Sequence, residues 1–413
     1  MAKLTRADLA ERDARDPLAK FRGDFVLPDG VFYFAGNSLG ALPRSAETRV
    51  AEVVAREWGQ DLVRSWNKHG WIDMPLRVGA KIAPLIGARP NEVAAADSTS
   101  VNLFKLLASA LKLRPRRKVI LTEDLNFPTD HYIMQGLTQL LNGGCEVRTA
   151  PAEQIIEAID DTVAVVTLTE VDYRTARMHD MAAVTRAAHR HGALVLWDLS
   201  HSAGVVPIDL NGCEADLAIG CGYKYLSGGP GAPAFLFVAE RLQDEIEPPL
   251  AGWMGHAAPF EFSTDYRPAG GIARNLCGTP SVLSMAALEA AIDLIAKAGI
   301  SAIRRKSVEM MDAFIALIEQ ECAGLDLEIV TPRDADRRGS HVALRHADGY
   351  PVMRALIARG VVGDFRAPDL MRFGITPLTL RYTDLWDAVA ILREVLEGRT
   401  WDTPEYRSRA AVT

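Results

Sequence analysis

Two residues in the middle of the chain have the types that imine chemistry needs. Leu194-Val-Leu-Trp-Asp198 reads as an apolar strand ending in a carboxylate. Gly222-Tyr-Lys224-Tyr-Leu then places a lysine just past a second apolar strand and before the loop Gly228-Gly-Pro-Gly-Ala-Pro. In an open α/β sheet the carboxyl ends of strands line the ligand crevice, so both groups are placed for function. A carboxylate that keeps a pyridine nitrogen protonated and a lysine that forms a Schiff base are the two groups pyridoxal 5′-phosphate requires. Singly, an Asp after a strand is a common turn residue and a Lys beside Tyr is commonly solvated; their order, their spacing and the interposed His201 favour the joint reading. Asp97-Ser-Thr99-Ser100 supplies three hydroxyls between a strand and a helical run, which suits a phosphate and is equally compatible with simple N-capping. Phe127-Pro128-Thr129-Asp130 offers an aromatic face at the exit of another strand.

These residues need a scaffold that brings strand ends together. From about residue 91 short β-branched runs alternate with helical patterns, the signature of a mainly parallel, doubly wound α/β sheet. The expected strands are 92–96, 118–122, 145–149, 163–169, 193–199, 217–220 and 234–238. Helices are expected at 101–111, 130–141, 152–159 and 181–191, the last closed by Gly192. Two long helical patterns, 282–298 and 302–321, open a smaller α+β part. It continues with strands at 327–330 and 341–345, a helix at 350–359, strands at 361–366 and 371–375, and a closing helix at 383–397. A helix is also expected over 45–58. The organisation read from this is an N-terminal segment, 1–50, joining the small domain, a large domain over 51–280 and the small α+β domain over 281–413.

With 413 residues, 48% hydrophobic and 24% charged, the composition is that of a globular protein with a real core. The net charge is −7, and the densest basic cluster, Arg114, Arg116, Arg117 and Lys118, reads as a solvated loop, so nucleic acid is not an expected partner. Five cysteines, none at CxxC spacing, suggest neither a disulfide framework nor a metal site. The first residues turn charged at once and no apolar run is long enough to span a bilayer; a cytoplasmic protein without membrane contact is expected.

Asn37-Ser-Leu-Gly40, Phe127-Pro-Thr-Asp130, Asp198-Leu-Ser-His-Ser-Ala-Gly204, Tyr223-Lys-Tyr-Leu226, Gly252-Trp-Met-Gly-His256 and Cys277-Gly-Thr-Pro280 occur in order along almost the whole chain. Together they resemble the kynureninases, fold-type-I pyridoxal-phosphate hydrolases of the class V aminotransferase superfamily. The resemblance implies hydrolysis of L-kynurenine to anthranilate and L-alanine, with the 3-hydroxy derivative as an alternative substrate, in tryptophan catabolism. It implies that Lys224 carries the cofactor, that Asp198 partners the ring nitrogen and that Thr169 and His201 touch the ring. Phe127 stacks, with Pro128, Thr129 and Asp130 beside it, and Thr99, Ser100 and Tyr223 hold the phosphate. Trp253 and Thr279 would join them from the other subunit of a homodimer. Arg372 matches the clamp on the substrate α-carboxylate, while Asn37, Trp66 and Gly278 match positions facing the substrate. His69 is as readily solvated as catalytic. Tyr223 is the candidate acid for the β-carbon.

Three departures from the family pattern are visible: Ser200 where alanine is common, Ser281 where a second proline is usual, and Asp172-Tyr-Arg-Thr-Ala176 for Asn-Tyr-Arg-Thr-Gly. The competing readings are a class V cysteine desulfurase or selenocysteine lyase and a non-catalytic binding protein of the same fold. The first needs a nucleophilic cysteine late in the chain, and residues 330–372 contain none. Cys322 falls in a long helical pattern, as a packed residue would.

Overall fold

The computed structural model describes residues 3–409. Seven strands make the large sheet: β1 (Val93–Ala95), β2 (Val119–Glu123), β3 (Glu146–Ala150), β4 (Val163–Thr169), β5 (Leu194–Asp198), β6 (Leu217–Gly220) and β7 (Phe235–Val238). Their spatial order is β1-β7-β6-β5-β4-β2-β3. All pairs from β6 to β3 are parallel, and β7 runs antiparallel to both β6 and β1. Every residue of β4, β5 and β6 is buried, as strands covered on both faces must be.

The α-helices longer than four residues, in chain order, are α1 (Arg6–Arg15), α2 (Arg44–Glu52), α3 (Met74–Ile82), α4 (Thr99–Leu113), α5 (Pro128–Leu140), α6 (Met181–Arg190), α7 (Val282–Ala298), α8 (Ile300–Glu321), α9 (Gly349–Ala358) and α10 (Tyr382–Glu397). Alternation along β5 shows the double winding. Leu194 and Leu196 pack with Leu106 of α4 and Leu137 of α5, whereas Val195 and Trp197 belong to the core shared with Ile82 of α3, Val184 of α6 and Ile292 of α7. The expected mainly parallel α/β sheet is therefore present.

A second, four-stranded antiparallel sheet has the order β8-β9-β11-β10, with β8 Glu328–Ile329, β9 His341–Arg345, β10 Asp364–Arg366 and β11 Leu370–Gly374. Its core joins Phe314 of α8, Leu356 of α9 and Leu392 of α10 with Leu9 and Phe34 from the N-terminal segment. Phe32–Tyr33 pairs in parallel with Val361–Val362 as a separate two-stranded sheet beside the small one. Leu18, Phe21 and Phe25 pack instead in the core of the large sheet, as does the buried face of α7.

Several local expectations change. The helix read at 152–159 is a 3₁₀ turn, Ala152–Gln154, followed by turns. Ile155 and Ile159 are buried at helical spacing, but Asp160 accepts hydrogen bonds from the Thr162 amide and hydroxyl and turns the chain into β4. Too few residues remain to propagate an α-helix. The helix read at 45–58 runs as α2 and then widens into a π-helix, Val53–Asp61, which ends at Leu62 with φ of +52°. The wider winding turns Glu57 and Asp61 inward and leaves Trp58 exposed. The single strand read at 361–366 divides at Gly363 between two sheets. In the basic cluster, Arg114 and Arg117 are half-buried and donate to the Gly192 and Val163 carbonyls rather than standing in solvent. Helix α1, which sequence reading passed over, is announced by the reciprocal capping of Thr5 and Asp8.

Candidate active site

The parallel order sets the ends of β4, β5 and β6 side by side. Thr169 and Asp198 are register partners at the last position of β4 and β5, and Lys224 follows β6. Asp198 is buried and accepts a hydrogen bond from the Ser200 amide at 2.8 Å, a bond that the serine-for-alanine departure leaves intact because the backbone makes it. Lys224 Nζ stands 3.4 Å from His201 Nδ1 and 5.9 Å from the ring centroids of both Phe127 and Tyr223. Phe127, at the cap of α5, is held edge-on by Tyr173 at 5.1 Å between centroids. One turn into α5, Asp130 is buried, and its Oδ2 has no hydrogen-bond partner among the described residues.

Burial pushes the Asp130 carboxyl well above the ordinary carboxylate range, and the neighbouring Asp198 charge pushes it further, with Lys224 opposing. Burial likewise raises Asp198, against the Ser200 hydrogen bond and Lys224. His201 is driven well below its ordinary value by burial and then by the Lys224 and Arg372 charges, so its ring is neutral. Burial raises the Tyr223 phenol and keeps it protonated. Two buried carboxyls thus face one lysine, an excess of acceptors that fits a cationic N–H such as a protonated pyridine.

The phosphate end of the cradle is the start of α4. Ser98 is the N-cap and spends its hydroxyl on the Val101 amide, which leaves the Thr99 and Ser100 hydroxyls and the first-turn amides for an anion. Asp97, at φ +52°, holds this turn through Lys105, which is wholly buried and donates to Asp97 Oδ2 at 2.7 Å and to the Asn275 carbonyl at 2.8 Å. Asp97 also accepts from Ala234 at the exit of the glycine-rich loop, whose Gly229 and Gly231 have positive φ. The residues present therefore fit pyridoxal phosphate from ring nitrogen to phosphate.

Arg372, on β11, is 1% exposed. Its Nε and Nη2 donate to Asp364 Oδ1 and Oδ2 at 2.6 and 2.5 Å, and its Nη1 donates to the Tyr173 carbonyl. Three of its five N–H groups are taken among the described residues, leaving two for a carboxylate. Asn37 is wholly buried, and neither atom of its amide has a partner among the described residues. It lies over Gly374, where a Cβ would fall 2.3 Å from Asn37 Oδ1.

The other predicted residues have their own surroundings within one chain. Trp253 packs edge-on against Phe260 at 5.8 Å. Gly278 and Thr279 line a cavity of about 110 Å³ with Asp97 and Gly231. Trp66 packs edge-on against Trp71 at 5.9 Å, and Trp71 donates to the buried Glu57 at 2.6 Å. His69 is largely shielded from solvent and bound to Asp61 at 2.8 Å, which corrects the expectation of a solvated ring. Pro128 and Thr129 form the first turn of α5 beside Phe127. Ala176 carries φ of +68°, the left-handed geometry that explains a glycine elsewhere in this pattern.

Sequence reading missed Asp364, Lys105 and His341. The first two are charged residues buried against a partner, which a sequence cannot reveal, although Asp364 stands beside Arg366 in a Gly-Asp-Phe-Arg run after a strand.

A family model described as the kynureninase C-terminal domain matches residues 303–392. A kynureninase of Burkholderia mallei is 52% identical over 415 residues, covering 99% of this chain and all of that protein. A kynureninase of Pseudomonas fluorescens is 50% identical over 414 residues with the same coverage. Among solved structures, a cysteine desulfurase from Thermococcus onnurineus matches with a TM-score of 0.77 at 18% identity, covering 92% of this chain and 98% of its own. A cystine C-S lyase matches at 0.76 and 17% identity, covering 89% of this chain and 98% of its own. These last two share the fold, whereas identity over the full length shows that the chain belongs to the kynureninase family.

Proposed function

We propose that this chain cleaves L-kynurenine with water into anthranilate and L-alanine, using pyridoxal phosphate. The observation that carries the reading is the half-buried Lys224 set among the buried His201, Asp198 and Asp130, at the strand ends and the start of α5, in a chain half identical to kynureninases throughout. When bound, the cofactor supplies an electron sink for negative charge developing next to the substrate nitrogen.

The chain's own residues do the rest. The α4 N-terminus with Thr99 and Ser100 fixes the phosphate, Phe127 covers one ring face, and Asp198, backed by Asp130, holds the proton on the ring nitrogen. Arg372 clamps the α-carboxylate with its two remaining N–H groups, fixing the Cα–H toward Lys224. Once displaced by the substrate amine, Lys224 takes the Cα proton and, after the Cβ–Cγ bond has broken, returns a proton to Cα before alanine leaves; neutral His201 beside it adds no competing charge. Water adds to the γ-carbonyl, the Cβ–Cγ bond breaks, and the carboxyl so formed leaves with the aryl ring as anthranilate. Tyr223, protonated and next to the lysine, gives its proton to the β-carbon, which departs as the methyl of alanine. Trp66 and Gly278 face the aryl group, and that wall decides between kynurenine and its 3-hydroxy derivative; Ser281 adjoins it.

The site is completed in a homodimer in which Trp253 and Thr279 serve the neighbour's phosphate. Support comes from the exposed rings of Phe260 and Phe262 in the same segment. No helix among the described residues is long and apolar enough to cross a membrane, and the free cysteines agree with a cytoplasmic setting. A desulfurase would need an accessible nucleophilic thiol beside Arg372. Cys221, the thiol nearest Lys224 in sequence, is buried and pushed up by that burial. Borohydride reduction tests the cofactor assignment: the yellow holoenzyme should lose its visible band and keep the reduced cofactor on the Lys224 peptide. A protein that takes up no pyridoxal phosphate would contradict it.

A further inference from the structure

His341 is the first residue of β9 and wholly buried; neither ring nitrogen makes a well-formed hydrogen bond among the described residues, and only the Arg174 backbone acts on the ring, through a loose contact. A buried polar group left in that state costs free energy, and native proteins keep such groups where something else completes them. Its surroundings say what that is. His341 pairs across the sheet with Gly374, so its side chain leaves on the face where a Gly374 side chain would stand. That space holds the Asn37 amide, also buried and unpartnered. Arg372, two residues before Gly374 on β11, projects to the same face with two N–H groups to spare. On the other side the His341 ring lies 6.0 Å from the ring of His201, which touches Lys224.

Donors of three side chains that lack a well-formed partner therefore converge on one face, next to the lysine that meets the substrate amine. We propose that His341 is a substrate-binding residue: with Arg372 and Asn37 it closes the subsite for the α-carboxylate, donating a ring N–H to the oxygen that Arg372 does not fully satisfy. Burial and the Arg372 charge hold the imidazole near 3, so it stays neutral and acts as a directional donor rather than a second cation. The inference rests on the carboxylate role of Arg372 proposed above.

L-Alanine, the product, carries the same amine and carboxylate as the substrate and isolates this subsite. Its equilibrium binding to the holoenzyme is read from the visible absorbance. His341→Phe should weaken L-alanine and raise KM for kynurenine about tenfold while kcat stays within about threefold, and His341→Gln, which keeps an N–H donor, should recover most of that loss. The amine formed by removing the carboxylate from kynurenine should bind wild type and His341→Phe alike. Unchanged L-alanine affinity in His341→Phe, or an equal loss for the decarboxylated amine, would overturn the proposal. A measurement on the unmutated protein guards against a misfolded variant: in ¹⁵N-histidine holoenzyme, L-alanine should shift an imidazole resonance that His341→Gln removes, and the absence of that shift also overturns it. Arg372→Leu separates the two layers. If it abolishes L-alanine binding while His341→Phe does not, His341 alone is wrong; if both variants bind normally, the carboxylate reading falls as well.

Discussion

Asp364 grips Arg372 through both oxygens, with Nε–Oδ1 at 2.6 Å and Nη2–Oδ2 at 2.5 Å, from the neighbouring strand of the small sheet. The pair is almost wholly buried, and the carboxylate takes one edge of the guanidinium while leaving N–H groups for a ligand. Asp364 thus aims the arginine as well as neutralising it. Burial pushes the Asp364 carboxyl up, and Arg372 outweighs that and holds it below its ordinary value.

Removing Asp364 should therefore cost both stability and binding. Asp364→Ala leaves a buried, unpaired guanidinium and is expected to lower unfolding free energy by about 3–5 kcal/mol, measured by urea melts. KM should rise more than kcat falls. Wild-type stability with an unaltered KM would show that Arg372 keeps its place by other means.

Glu170, next to Thr169 at the end of β4, predicts a pH slope. Burial pushes its carboxyl from 4.5 up to about 7, against a Ser202 hydrogen bond and the Arg304 charge. The folded state then holds a proton that the unfolded chain has released. This contribution is fully present below pH 4.5 and is lost as pH rises through about 7. Glu170→Gln should remove that slope and gain up to ~3 kcal/mol above pH 7, seen in denaturant midpoints across pH 5–8. An unchanged profile would place the charge elsewhere.

Tyr223→Phe should keep the cofactor, since Thr99, Ser100 and the α4 N-terminus still hold the phosphate. Loss of the β-carbon acid should slow turnover by roughly 10²-fold. Full turnover would exclude the assignment; loss of the visible band would assign Tyr223 to cofactor binding instead.

If each site is completed by the neighbouring subunit, as proposed, inactive variants should complement one another. Lys224→Ala and Trp253→Ala proteins should each be inactive, and after dissociation and remixing half the dimers are hybrids with one intact site. Recovery of roughly a quarter of wild-type activity is expected. No recovery in verified hybrids would confine each site to one chain.

Much of this was legible in the sequence because it is local. Strand β4 and helix α7 begin and end where the apolar pattern does, and Asp198 and Lys224 are readable because a carboxyl strand end is a functional place in a parallel sheet. The π-helix over Val53–Asp61 was not legible, because its winding depends on Glu57 finding Arg49 and Trp71. Nor was the polar face around Gly374, since Asn37, His341 and Arg372 lie far apart in the chain and meet only through β9–β11 pairing and the packing of the N-terminal loop. Partners of buried charges, Lys105 for Asp97 and Asp364 for Arg372, are tertiary facts of the same kind.

The most direct test follows products from purified holoenzyme given L-kynurenine, with anthranilate read by its fluorescence and L-alanine by amino-acid analysis. Equal amounts of both are expected, lost after borohydride reduction and in Lys224→Ala, with the 3-hydroxy substrate run in parallel to give the preference. Cofactor-loaded enzyme that releases no anthranilate from either substrate, or that instead turns cysteine into alanine with its sulfur left as a persulfide, would contradict the proposed function.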